Sequence, residues 1–120
     1  MFNQERSYIE AWKKEREYIA SLYQSRQTDK ASACMEKHIT GFIKSLYLLN
    51  DMEYREDKST NEDVERFQYK PMNMKDRLTF IKQSKQHYHA YIQLDELFEA
   101  LEKQFAKVKI IKKKDQSSAD

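Results

Sequence analysis

His38, His87 and His89 are the residues best suited to chemistry in this 120-residue sequence. Imidazoles supply metal ligands and general bases near neutral pH. Two of them stand in the run HYHAYIQLDELF at 87–98, which reads as helical. Residues two apart on a helix point about 200° from one another, so His87 and His89 cannot chelate one ion, and the four-residue spacing of helical zinc-protease motifs is not met. A metal or general-base centre must then borrow from another segment. The candidate set is His38, His87, Tyr91 and Glu15, assembled inside a bundle as helical proteins assemble such sites. The competing reading makes His87 a buried histidine bonded to a tyrosine or a backbone carbonyl, with His89 on the polar face alongside Gln93, Glu96 and Lys103. The spacing favours that second reading, and it names no catalytic residue, metal or cofactor. The arginine and histidine of helical ribonuclease toxins lie about a turn and a half apart, whereas Arg77 and His87 are ten residues apart here.

Two further stretches are candidates for binding. The run KVKIIKKK at 107–114 carries Lys107, Lys109, Lys112, Lys113 and Lys114 with Val108, Ile110 and Ile111. Such a run suits a phosphate backbone or an anionic surface, and it equally complements the carboxyl end of a helix dipole. Gly41 shares a helix face with Cys34 and Ser45, which predicts a small-residue groove that a neighbouring helix approaches closely. Cys34 is the lone cysteine, so there is no internal disulfide and no zinc site of several thiolates, and a reducing cytoplasm fits.

Helices must position all of these. One Gly and one Pro among 120 residues leave little turn chemistry for strands, and the class expected is all-α. Tyr8, Trp12, Ile19 and Leu22 form a first stripe, widened by Ile9 and Tyr23. Glu15 or Arg16 fills its gap, with a long stem on the apolar edge and a charged head in water. A second helix is expected from a cap at Thr28 or Asp29 through Met35, Ile39, Phe42, Leu46 and Leu49. The acidic stretch 51–63 reads as a solvated loop, followed by a short helix carrying Val64 and Phe67 that ends at Lys70-Pro71. Asn73 is the expected cap of the next helix, through Leu78, Phe80 and Ile81. His87, Tyr91, Leu94, Phe98, Leu101, Phe105 and Val108 then alternate steps of four and three, an unbroken seam. An antiparallel bundle of four main helices with an extra short helix follows, one domain over 1–110 with a disordered basic and polar tail at 111–120.

The stretches GFIKSLYLLND at 41–51, KPMNMKDRLTFI at 70–81 and HYHAYIQLDELF at 87–98 resemble the YpoC-like family of Bacillus-type Gram-positive bacteria, whose function is uncharacterised. The resemblance spans roughly residues 5–107. Relatives commonly have a proline just before the histidines, where this chain has Ser84-Lys85-Gln86, so the last two helices are either separate or one bent rod. The resemblance implies an intracellular bacterial protein and carries no catalytic residue with it.

The 22 basic and 20 acidic side chains favour no partner by overall charge, and no stretch approaches the ~20 apolar residues of a membrane span. The expectation is a small cytoplasmic protein without catalysis that binds a protein partner or itself, through the groove at Cys34, Gly41 and Ser45 or through exposed aromatics beside the last helix. Weak nucleic-acid association through the lysine run is the alternative, and a metal- or histidine-dependent enzyme using His38 and His87 is the third.

Overall fold

A computed structural model describes the backbone of residues 3–56 and 60–118, and side chains over 6–56 and 62–111. Five helices follow in order: α1 (Asn3–Gln24), α2 (Thr28–Leu49), α3 (Thr60–Val64), α4 (Met74–Gln83) and α5 (Tyr88–Ser118). No strand occurs among the described residues. The architecture is the all-α bundle expected, with α3 as the extra short helix.

Each stripe buries most of what its spacing predicts, the exceptions being His87 and Phe80, which are exposed. Trp12, Ile19, Met35, Phe42 and Leu46 are sealed, as are Leu94, Leu101 and Val108 along α5. Side chains of this size contribute about 1.5–3 kcal/mol each when buried, so the long helices close on one core. Helix α1 lies antiparallel to α5, since Lys13 reaches Glu102 while Tyr23 reaches Lys85. Helix α2 runs parallel to α5, with Gln86 on Asp29 at one level and the Phe42 and Phe98 rings in edge contact further along. The short α4 turns back along α5, tied by Arg77 to Gln93 and Glu96.

With its one glycine spent inside α2, the chain closes its helices without glycine. At the end of α1, Gln27 N–H donates to the Leu22 carbonyl and Arg26 N–H to that of Tyr23, with Arg26 at φ 63°. Asp51, at φ 53°, does the same after α2, where Met52 N–H reaches Tyr47 and Asp51 N–H reaches Leu48. Both are Schellman closures in which a side chain occupies the left-handed position that glycine usually takes. Asn73 caps α4 in the same left-handed region, without the side-chain hydrogen bond a cap residue normally makes. The residue preceding α2 is Gln27, so neither Thr28 nor Asp29 is its cap.

Gly41 meets the expected close approach in the Tyr8 ring of α1, which would stand 3.2 Å from an added Cβ. Ser45 and Gly41 are both buried, so the small-residue stripe is an internal seam and presents no open groove. The acidic stretch is likewise more than a solvated loop. Asp63 is buried and accepts from the Tyr47 hydroxyl at 2.6 Å, while Met52 and Tyr54 pack on the core. Residues 57–59 lie outside the described residues. Helix α3 ends at Val64, earlier than expected, and Phe67 is buried from an irregular segment.

A turn at 84–87 separates α4 from α5 without proline. His87 N–H donates to the Ser84 carbonyl and Ala90 N–H to that of His87, so His87 stands at the threshold of α5. Helix α5 continues through the lysine run to Ser118, past the boundary expected near residue 110. Its 31 residues extend about 46 Å and carry the molecule to 57 Å in its longest dimension.

Candidate functional site

The bundle buries one histidine, and it is His38, only 3% exposed on the inward side of α2. Across the α1/α2 seam, Glu15 Oε2 lies 2.5 Å from His38 Nε2. The hydrogen bond to His38 holds the Glu15 carboxyl below its ordinary range, outweighing the desolvation that raises it, and Lys37 at 3.3 Å adds to the lowering. An ionised carboxylate only accepts, so the imidazole donates through Nε2–H. Trp12 stands edge-on to the His38 ring at 5.3 Å and stacks on Phe98 at 5.2 Å. Its indole N–H donates to Asp95 Oδ1 at 2.8 Å, and Arg16 pairs with the same oxygen at 3.3 Å. One connected set of polar groups thereby ties α2 to α1 and α1 to α5.

A carboxylate holding one imidazole nitrogen is the arrangement that orients a general base. A base must also present its other nitrogen to substrate within about 3 Å. His38 is sealed beneath Trp12, and the cleft of about 340 Å³ between α1 and α5 is lined by Trp12, Asp95 and Phe98 and not by His38. The geometry therefore makes the pair a polar fastener between α1 and α2. The Glu15 and Arg16 heads reach water as expected, each being more than a third exposed, and both also make ion pairs that the stripe did not require.

The other members of the predicted set are placed apart. His87 is exposed, because the turn before α5 lifts it off the seam that its spacing had assigned it to. Its neighbour Gln86 touches Asp29 at the opening of α2, nine residues before His38. His89 is exposed as expected. Tyr91 is buried beside Trp12 and in a ring cluster with Tyr23 and Tyr88. Burial, then Asp95 and Tyr88, raise its hydroxyl above the ordinary tyrosine value, and burial with Cys34 pushes Tyr23 up to about 12. The structure thus brings together His38, Glu15 and, through Trp12, Tyr91; His87 does not join them. Among the described residues no group of three or more histidine, cysteine, aspartate or glutamate side chains is placed to hold a metal.

Spacing did not reveal what lies at the other end of the molecule. Two clefts meet at Lys70 and Gln104, where the connection from α3 to α4 crosses α5. One, of about 540 Å³, is lined by Val64, Pro71, Met72 and Met74; the other, of about 490 Å³, by Tyr69, Lys107, Val108 and Ile111. Met72 is 81% exposed, Ile110 58% and Ile111 42%. The sequence signal was the pairing of Ile110 and Ile111 inside a lysine run, which reads as tail until Tyr69 is known to lie beside it. Lys107 and Lys109 are exposed, whereas the Lys112, Lys113 and Lys114 side chains lie outside those described.

No helix among the described residues is long and apolar enough to cross a membrane, and Cys34 is a free, half-buried thiol. No curated protein and no solved structure shows significant similarity to the chain. The sequence pattern of one family does match, from residue 3 to residue 113, over the bundle and all but the last residue of the lysine run, and the chain belongs to the YpoC-like proteins.

Proposed function

We propose that the chain is a non-catalytic protein-binding module of the cytoplasm, and that it binds through the end of the bundle where α5 meets the connection from α3 to α4. The observation carrying this is the clustering of Met72, Ile110 and Ile111, large exposed apolar side chains beside two adjoining clefts. Large exposed apolar surface on a small protein marks contact sites more often than accident. The exposed aromatic on α5 itself is less available: Tyr88 stacks on Tyr91 and meets the edge of Tyr23. His38 supports a structural reading because Glu15 and Trp12 enclose it.

A photo-crosslinking side chain at position 72 or 111, set against one at the exposed Tyr18, tests the proposal in cells that make the protein natively. Protein adducts from 72 and 111 and none from 18 are expected. Equal adducts at all three positions, or none at 72 and 111, overturn it. The exposure of Lys107 and Lys109 on a continuous helix favours nucleic-acid association as the second reading. In that case binding of a single-stranded oligonucleotide falls steeply with salt and is lost on Lys107→Glu with Lys109→Glu.

A further inference from the structure

The cleft between α5 and residues 68–70 has a chemistry that selects its occupant. Its floor is apolar, made by Tyr69, Val108 and Ile111; Lys107 stands at its side, and the Lys70 ammonium there donates to the Val64 carbonyl. Along α5, Gln104, Val108 and Ile111 step by four and three on one flank of the helix, polar at Gln104, closed into the core at Val108 and open at Ile111, which is 42% exposed. The same stretch, KQFAKVKIIKKK at 103–114, holds six lysines and no acid. Gln104 Nε2–H donates to the Lys70 carbonyl at 2.8 Å, which leaves its Oε1 buried with no hydrogen-bond partner where the two clefts meet.

We infer that this cleft receives an acidic amphipathic helix of a partner protein, a refinement that rests on the protein-binding reading above. Two apolar side chains of that helix, three or four residues apart, cover Ile111 and the half-buried Tyr69. Its flanking aspartates or glutamates face Lys107, the exposed lysine on that flank of α5. A phosphate backbone gains nothing from the apolar floor. A flat lipid surface fits no better, since Ile110 and Ile111 point about 100° apart around α5 and do not share one face.

Random peptides of about 16 residues, displayed and selected on the immobilised full chain, test the inference. Enriched sequences are expected to carry net negative charge with apolar residues three or four apart. Ile111→Glu should weaken their binding about tenfold, and Lys107→Glu about threefold with a shallower salt dependence. Both positions are exposed, so helicity measured by circular dichroism should be unchanged in each variant. Neutral or basic winners, winners indifferent to Ile111→Glu, no enrichment at all, or tighter binding of oligothymidine or of anionic phosphatidylglycerol vesicles would each overturn the acidic-helix assignment. If the peptides fail while position 111 still crosslinks to protein in cells, only the identity of the occupant is wrong. If both fail, the binding reading falls with it.

Discussion

Glu15 and His38 show how a charged pair is fitted into a core of apolar side chains. His38 is almost wholly enclosed, and a buried donor that loses its acceptor is costly, so the carboxylate is needed where it stands. Replacing Glu15 by Gln keeps the shape and removes the charge. The expected loss at pH 7 is about 1–2 kcal/mol, the lower part of the range for charge-assisted bonds because Glu15 is partly in water. The folded carboxyl is held below its ordinary value of 4.5, so the stability it adds is complete above that value. It disappears as the pH falls below 4.5 through the lower folded value. Urea unfolding of wild type and Glu15→Gln at a series of pH values should therefore show a gap that closes on acidification, and a gap that widened would contradict the pairing. The pair was only half legible in the sequence. Glu15 filled a hole in the α1 stripe and His38 bordered the α2 stripe, but 23 residues separate them and only the packing of α1 on α2 brings them together.

At the scale of elements, periodicity located the helices well because each has a distinct buried stripe, and it failed where hydrogen bonds and turns decide. Nothing in the spacing of His87 distinguishes the first residue of a seam from the last residue of a turn. The Ser84 carbonyl makes that choice by accepting from His87 N–H. The acidic stretch misled for the same reason: one carboxylate, Asp63, is drawn inside by a tyrosine 16 residues earlier. Helix ends were the least legible of all, since their closures rest on left-handed residues that have no glycine to announce them. That scarcity yields a prediction. Arg26 holds φ 63° at a cost of about 1 kcal/mol that glycine does not incur. Arg26→Gly should raise stability by several tenths to about 1 kcal/mol, part of the gain being offset by the greater freedom of glycine in the unfolded chain. Thermal unfolding measures it, and a lower midpoint would mean that Arg26 makes contacts outweighing its strain.

Over the whole molecule, α5 packs on α1, α2 and α4, while α1 packs most extensively on α2. Helix α5 pairs with α1 through Lys13 and Arg16 and through the ring contacts of Tyr23 with Tyr88 and Tyr91, carries α4 on Arg77, and meets the connection before α4 at Gln104. Its core contribution extends as far as Val108, which is 1% exposed, and Ile110 and Ile111 turn outward. The fold and the binding surface therefore divide within a few residues of one another on the same helix. A chain ending after Ile111 keeps every α5 side chain known to be buried and should unfold at nearly the same urea concentration as the full chain. One ending after Gln104 loses Phe105 and Val108, each worth about 1.5–3 kcal/mol of burial. A loss of roughly 3–6 kcal/mol is a large share of the 5–15 kcal/mol that holds a domain of this size together, so the shorter chain should be unfolded or nearly so at 37 °C. Circular dichroism across a truncation series from 104 to 118 would show the step. A gradual decline extending beyond residue 111 would instead mean that the lysine run supports the fold, and the surface proposed for partners would then be serving the core.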